Sequence, residues 1–171
     1  MNPGGKIRIA ISIVIMVVLA SFTTMSLCGI YQLDIEIAAV NIDDVADISV
    51  DGSDFTPIAK LFSLGLNTFV YVITAETYVL LILILSLILL TPFMLIGLNQ
   101  KRTIEKTEYK IVKYAFIIIF ILSFLAGGIL TRFSLFIATV FMNAIWALNV
   151  LIFCIIPLKM RNANSQLRKS E

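Results

Sequence analysis

The sequence predicts an all-α integral-membrane protein, a bundle of four transmembrane helices with both termini in the cytoplasm. Its 171 residues are 60% hydrophobic and only 14% charged, whereas a soluble domain carries about 25% charged residues. Four uncharged runs come close to or exceed the roughly 20 residues that cross a bilayer. Acidic residues are concentrated between the first and second runs, and basic residues are concentrated in the segments at the opposite ends of the runs. We therefore expect one four-span domain covering residues 1–171.

The distribution of charge predicts the orientation of the spans. Eleven of the thirteen basic residues lie before the first run, between the second and third, or after the fourth. Cytoplasmic segments retain Lys and Arg preferentially, so we expect a cytoplasmic loop over 99–113 and a cytoplasmic tail over 159–171. The first seven carboxylates all lie between the first and second runs: Asp34, Glu36, Asp43, Asp44, Asp47, Asp51 and Asp54.

The first span is expected over about 7–31, followed by an extracytoplasmic loop over about 32–60. Its uncharged run is longer than the roughly 7–15 residues of a signal-peptide core. Leu33, Ile35 and Ile37 then alternate with acidic or small residues, the two-residue period of a half-buried strand. A second alternation precedes Asp51-Gly52, a turn-forming pair. The loop is therefore predicted to be small, acidic and strand-containing.

The apolar segment over about 58–75 has two interpretations, an interfacial helix at the outer surface or an extension of the second span. A separate crossing is disfavoured, because it would place the basic residues from Lys101 to Lys113 outside. The second span is expected over about 76–98. Pro92 should kink it near the inner end, since proline removes a backbone donor.

The third and fourth spans are expected over about 114–131 and 133–158. The connection around Arg132 is so short that the two helices must form an antiparallel hairpin. Ser123 and Gly127 stand four residues apart on the third span. Small residues at this spacing allow close approach of another helix, so they are the candidate helix-packing pair.

Several polar residues fall within or beside the spans and form a candidate intramembrane polar site. They are Glu76, Arg132, Thr139, Asn143 and Asn149. Glu76 and Arg132 are expected at the same outer boundary, where they could pair. Asn143 is expected near the midplane, where an amide must find a partner. Two readings are open for it, an interhelical hydrogen bond and the lining of a ligand or ion path.

The residue inventory argues against catalysis. The chain has no histidine, which removes the commonest zinc ligand and the usual base. Its two cysteines, Cys28 and Cys154, are expected near opposite membrane faces. Phosphate-binding, nucleophile-elbow and dinucleotide motifs are missing from the sequence. We expect no enzyme activity, no cofactor and no metal.

The expected partners are lipids and proteins. Basic residues close to the inner boundary favour anionic lipid of the inner leaflet and make nucleic acid an improbable ligand. The leading hypothesis is a non-enzymatic membrane subunit, accessory or scaffold protein of the plasma or cytoplasmic membrane, binding another membrane or extracytoplasmic protein or its own copies. The candidate contact residues are Leu33, Asp34, Ile35, Glu36, Ile37, Asp43, Asp44 and Asp47. The alternative is a small oligomeric transporter or channel subunit that uses polar residues of helices 2 and 4.

Overall fold

A computed structural model describes residues 3–39, 49–50, 53–99 and 106–170. The helices are α1 (Pro3–Ala39), α2 (Thr56–Asn99), α3 (Lys106–Leu130), α4 (Phe136–Val150) and α5 (Ile156–Ser170), with a π-helical segment (Leu151–Ile155) between the last two. Four helical stretches are long and apolar enough to cross a membrane: Pro3–Ile37, Thr56–Pro92, Lys106–Leu130 and Phe136–Ala163. This confirms the prediction of a helical, multi-pass membrane protein.

The helices form because hydrocarbon offers no partner for backbone N–H and C=O groups, which must bond within the segment. Hydroxyl groups inside the spans are satisfied in the same way. Thr23 donates to the Leu19 carbonyl at 2.8 Å and Ser26 to the Phe22 carbonyl at 2.9 Å. These two side chains are thereby accommodated inside the bundle without a partner on another helix.

Helix α1 is the central element, because it packs against α2, α3 and α4. Its buried residues recur every three or four positions: Ile9, Ser12, Met16, Leu19, Thr23, Leu27 and Ile30. This spacing places them on one face of the helix. On the opposite side of the core, the buried Trp146 of α4 packs against Phe116 and Phe120 of α3, with ring centroids 6.1 and 6.0 Å apart.

The turn between α3 and α4 is unusually tight. Arg132 and Phe133 adopt positive φ angles of 51° and 56°, and the Phe133 N–H donates to the Gly128 carbonyl at 2.7 Å. A β-carbon on Gly128 would collide with the Phe133 ring. The turn therefore needs glycine at position 128.

The predicted strand over Leu33–Ile37 is wrong, because α1 continues as helix to Ala39. Leu33 and Ile37 are also four residues apart, and both are half-buried on the continuing helical face. Extending an existing helix requires no new nucleation, which favours it over a five-residue strand. The structure instead has two two-residue strands, β1 (Ser49–Val50) and β2 (Ser53–Asp54), paired antiparallel with Ser49 opposite Asp54.

Other boundaries also differ from the prediction. The segment 58–75 belongs to the continuous helix α2, which favours the extension over a separate interfacial helix and continues through Pro92. Helix α3 begins at Lys106 and α5 ends at Ser170, so much of the predicted inner loop and tail is helical. Asp43, Asp44 and Asp47 lie outside the described residues.

We predict that Gly128→Ala destabilises the α3–α4 turn, because the added methyl group must displace the Phe133 ring. Overpacking of this kind costs about 1–3 kcal/mol. Thermal unfolding of the detergent-purified protein measures the effect.

Gly65→Ala is the matched control, since a β-carbon at Gly65 meets nothing within 4 Å. Alanine should be neutral or stabilise α2 there by up to about 1 kcal/mol. Equal destabilisation by both substitutions would contradict the proposed role of Gly128.

Candidate functional sites in the bundle

The polar residues of α4 form a closed cluster with α3, here called the midplane cluster (Ser123, Thr139, Asn143 and Trp146). The Ser123 hydroxyl donates to Asn143 Oδ1 at 2.8 Å, and Trp146 Nε1 donates to the same oxygen at 3.1 Å. Asn143 Nδ2 donates to the Thr139 carbonyl at 2.8 Å. Asn143, Thr139 and Trp146 are fully buried.

The midplane cluster links three helices, because Ser123 also lies 3.5 Å from the Ala20 carbonyl of α1. One turn further along α3, a β-carbon on Gly127 would lie 2.8 Å from Leu27 Cδ1 and 3.4 Å from Thr139 Cγ2. The predicted packing pair Ser123 and Gly127 thus lies where α3 meets α1 and α4. Interhelical hydrogen bonds in membranes contribute about 0.6 kcal/mol on average, so the cluster positions helices more than it stabilises them.

Asn149 lies apart from this cluster. Its Nδ2 donates to the Ile145 carbonyl of its own helix at 3.0 Å. Of the predicted intramembrane polar residues, the structure therefore brings together only Thr139 and Asn143.

A second polar cluster, which the sequence patterns did not indicate, lies at the end of the bundle where α1 and α3 begin. We call it the inner cluster (Arg8, Ser12, Glu108 and Cys154). Arg8 Nε and Nη2 donate to the two carboxylate oxygens of Glu108 at 2.7 and 3.0 Å. The Glu108 side chain is only 2% exposed and that of Arg8 12%. This two-bond arrangement is the strongest geometry for such a pair.

The inner cluster joins α1 to α3 and to the π-helical segment. The Ser12 hydroxyl donates to the Arg8 carbonyl at 2.8 Å, and Cys154 Sγ lies 3.8 Å from Ser12 Oγ. Cys28 and Cys154 are both free thiols. The sequence contains one indication of this cluster. Glu108 is an acid among the bases Lys106, Lys110 and Lys113 at the start of an apolar run.

Glu76 and Arg132 are both exposed, and no salt bridge joins them in the described part of the chain. The structure thus does not show the pair that their shared depth would allow. A charge at the membrane boundary reaches water or headgroups and costs little unpaired, so nothing forces the two side chains together. Glu76 instead borders a cavity of about 470 Å³ between α1, α2 and α4.

Within the described ranges, no group of three or more His, Cys, Asp or Glu residues is placed to hold a metal ion. In the inner cluster, the Glu108 carboxylate accepts both of its bonds from Arg8, and Cys154 Sγ lies beside the Ser12 hydroxyl.

Comparisons with protein families, with curated proteins and with solved structures find no match to this chain.

We predict that Glu108→Gln destabilises the protein strongly, because it removes the buried carboxylate that accepts two charge-assisted hydrogen bonds from the Arg8 guanidinium. Breaking one side of a buried ion pair costs about 3–5 kcal/mol. The double variant Arg8→Gln, Glu108→Gln should lose less than the sum of the two single variants, as measured by thermal unfolding in detergent.

Lys110→Gln is the control on the same helix, since Lys110 is exposed and surface charges of this kind contribute at most about 1 kcal/mol. Additive losses from the two cluster variants would show that Arg8 and Glu108 act independently.

Proposed function

We propose that this chain is a non-enzymatic accessory subunit that binds another membrane or extracytoplasmic protein through the outer half of α2, residues 56–75. The observation that carries the proposal is a row of large apolar side chains on this segment, each between 44% and 74% exposed. They are Ile58, Leu61, Phe62, Leu64, Leu66, Phe69, Val70, Val72 and Ile73. No described part of the chain covers them.

The length of α2 supports an apolar neighbour for this segment. Residues 76–99 of α2 measure about 36 Å at 1.5 Å per residue, enough for roughly 30 Å of hydrocarbon. The outer half of α2 adds about 30 Å of helix beyond that length. A partner that fully buried one of these side chains would gain about 1.5–3 kcal/mol of binding free energy relative to leaving it in water.

The polarity of the segment supports the same conclusion. Lys60, Ser63 and Asn67 recur at intervals of three and four residues, so they share one face, and all three are half-buried. The exposed faces are apolar. A helix at a water-exposed surface has the opposite arrangement, and exposed apolar patches mark interaction sites.

The charged residues near this surface indicate which sign of charge should surround the binding site on the partner. Asp34 and Glu36 lie near the outer end of α1, where Glu36 is exposed and Ile35 is half exposed. The segment Leu33–Ile37, which the sequence predicts as a strand edge for a partner, thus lies on helix α1. A partner with an apolar groove and a basic rim would match both features, because charge mainly raises association rate and apolar contact retains the complex.

The transporter alternative has less support. A conduit needs a continuous polar track, whereas Ser123, Asn143 and Trp146 bond to one another in a closed cluster.

The proposed orientation places the inner cluster on the cytoplasmic side. The Arg8–Glu108 contact brings the starts of α1 and α3 to one end of the bundle, and Cys154 reaches Ser12 at that end. Exposed Lys110, Lys113 and Lys159 lie near it, where each base close to anionic lipid contributes about 1 kcal/mol. We place this protein in the plasma or cytoplasmic membrane.

We predict that a membrane-impermeant maleimide applied to intact cells labels Ser53→Cys and spares Ser165→Cys, in chains whose native cysteines are replaced by serine. The reason is the retention of basic segments in the cytoplasm. Permeabilised cells should label both sites. Labelling of Ser165→Cys alone in intact cells would invert the orientation.

We predict that a photoreactive benzophenone amino acid at position 62 cross-links a discrete protein in cells, because Phe62 lies on the proposed contact surface. The same amino acid at position 137 should yield lipid adducts only. Ile137 is 83% exposed but lies on α4, outside the outer half of α2. Adducts are identified by gel mobility and mass spectrometry.

Substitutions on the contact surface should weaken retention of the partner without preventing folding of the chain. Phe62→Gln with Phe69→Gln should reduce recovery of the cross-linked partner by about tenfold, equivalent to about 1.4 kcal/mol, while Ile137→Gln should leave recovery unchanged. If position 62 gives only lipid adducts, the outer half of α2 lies in the bilayer and the proposal is wrong.

A further inference from the structure

We propose that the cavity between α1, α2 and α4 binds an amphiphile with a positively charged amine and an apolar body, which enters from the membrane. We call it the Glu76 cavity. Its lining residues are Ile30, Ala75, Glu76, Val79, Leu80, Ala138, Phe141 and Met142. This proposal is independent of the protein partner proposed above.

The shape of the Glu76 cavity suits a small ligand that approaches sideways. Its volume is about 470 Å³, within the roughly 300–1,000 Å³ of ligand pockets. Ile30 and Met142 are 1% exposed and form its floor, whereas Leu80 and Phe141 are 58% exposed at its rim. The rim lies on the outward surfaces of two membrane-spanning helices, so the cavity opens toward lipid.

The carboxylate determines the charge of the ligand. Glu76 is the only charged residue among the described residues that line the cavity, and none of them forms an ion pair with it. An ionisable residue within an apolar stretch is a functional candidate by default. A primary ammonium group could donate charge-assisted hydrogen bonds to it, which are about twice as strong as neutral ones.

Other ligand classes fit this site less well. An anion would be repelled by Glu76, and a metal ion would find a single carboxylate where it needs several oxygen ligands. A neutral hydrocarbon would fill the apolar walls but would leave the carboxylate unused. The remaining class combines a cationic amine with a hydrocarbon chain, and it has two sources, the amine headgroup of a phospholipid and a free hydrophobic amine.

The test uses the full chain in phosphatidylcholine nanodiscs and a hexadecylamine probe that carries a photoreactive diazirine. We expect labelled peptides to contain Leu80 or Phe141. Unlabelled hexadecylamine should suppress this labelling at concentrations about tenfold lower than hexadecanol, which has the same chain without the charge.

Variants assign the interaction to the carboxylate. Glu76→Gln should weaken competition by hexadecylamine about tenfold and leave competition by hexadecanol unchanged. Thr77→Val changes the exposed neighbour of Glu76, which does not line the cavity, and should change neither. Ala138→Leu, which fills the cavity, should weaken labelling by the amine even though Glu76 remains.

The composition of the nanodisc distinguishes the two sources. If replacing one third of the lipid by phosphatidylethanolamine protects the cavity, the occupant is the lipid headgroup amine; if it does not, the occupant is a free amine. Equal competition by amine and alcohol in the unmodified protein would overturn the proposal, because the cavity would then be an unselective lipid crevice. That comparison needs no variant and holds even if Glu76→Gln fails to fold.

Discussion

Hydrocarbon offers no hydrogen-bond partner, so each polar group between the membrane boundaries must find one within the chain. The isolated hydroxyl groups of α1 solve this locally by donating to the preceding turn, as Thr23 does to Leu19. Asn143 requires partners from other side chains at that depth. Glu108 lies at the inner end of the bundle, where packing of the helices buries it and a buried charge needs a partner. Asn143 is satisfied by Ser123 and Trp146, and Glu108 by Arg8. These few groups therefore determine which helices become neighbours, while apolar side chains fill the space between them.

The two clusters act at different depths on the same helix. Arg8 and Ala20 of α1 are twelve residues apart, about 18 Å along the axis, and each lies beside a different polar group of α3. Contacts at two depths fix the vertical register of α1 against α3, which apolar contacts alone would leave free to slide. The contribution to stability is smaller than the geometry suggests, because burying the Arg8–Glu108 pair removes two charges from water. Its role is better described as specifying one arrangement of the bundle.

Sequence reasoning found the four membrane-crossing helices because apolar length is a local property. It was wrong at Leu33–Ile37, where five residues fit both a two-residue and a helical period, and the preceding helix decided between them. It also paired Glu76 with Arg132 because they share a depth, although depth does not specify which side of the bundle a residue occupies. Arg8 and Glu108 are separated by 100 residues, and only the packing of α1 on α3 shows that they meet. The sequence also could not show whether the midplane cluster lines a path, because that depends on the hydrogen-bond partners of Asn143.

Helix α2 is longer than the hydrocarbon layer of a bilayer can accommodate. Its apolar stretch Thr56–Pro92 contains 37 residues, about 55 Å of helix, against roughly 30 Å of hydrocarbon. Tilt alone would need roughly 57°, beyond the range of about 0–40° seen for membrane helices. Even at about 40°, the bilayer would take up only about 26 residues and leave about eleven beyond it. Those residues include Leu61 and Phe62, which are 70% and 74% exposed. The proposed apolar neighbour would cover these first turns of α2, which tilting alone does not place in hydrocarbon.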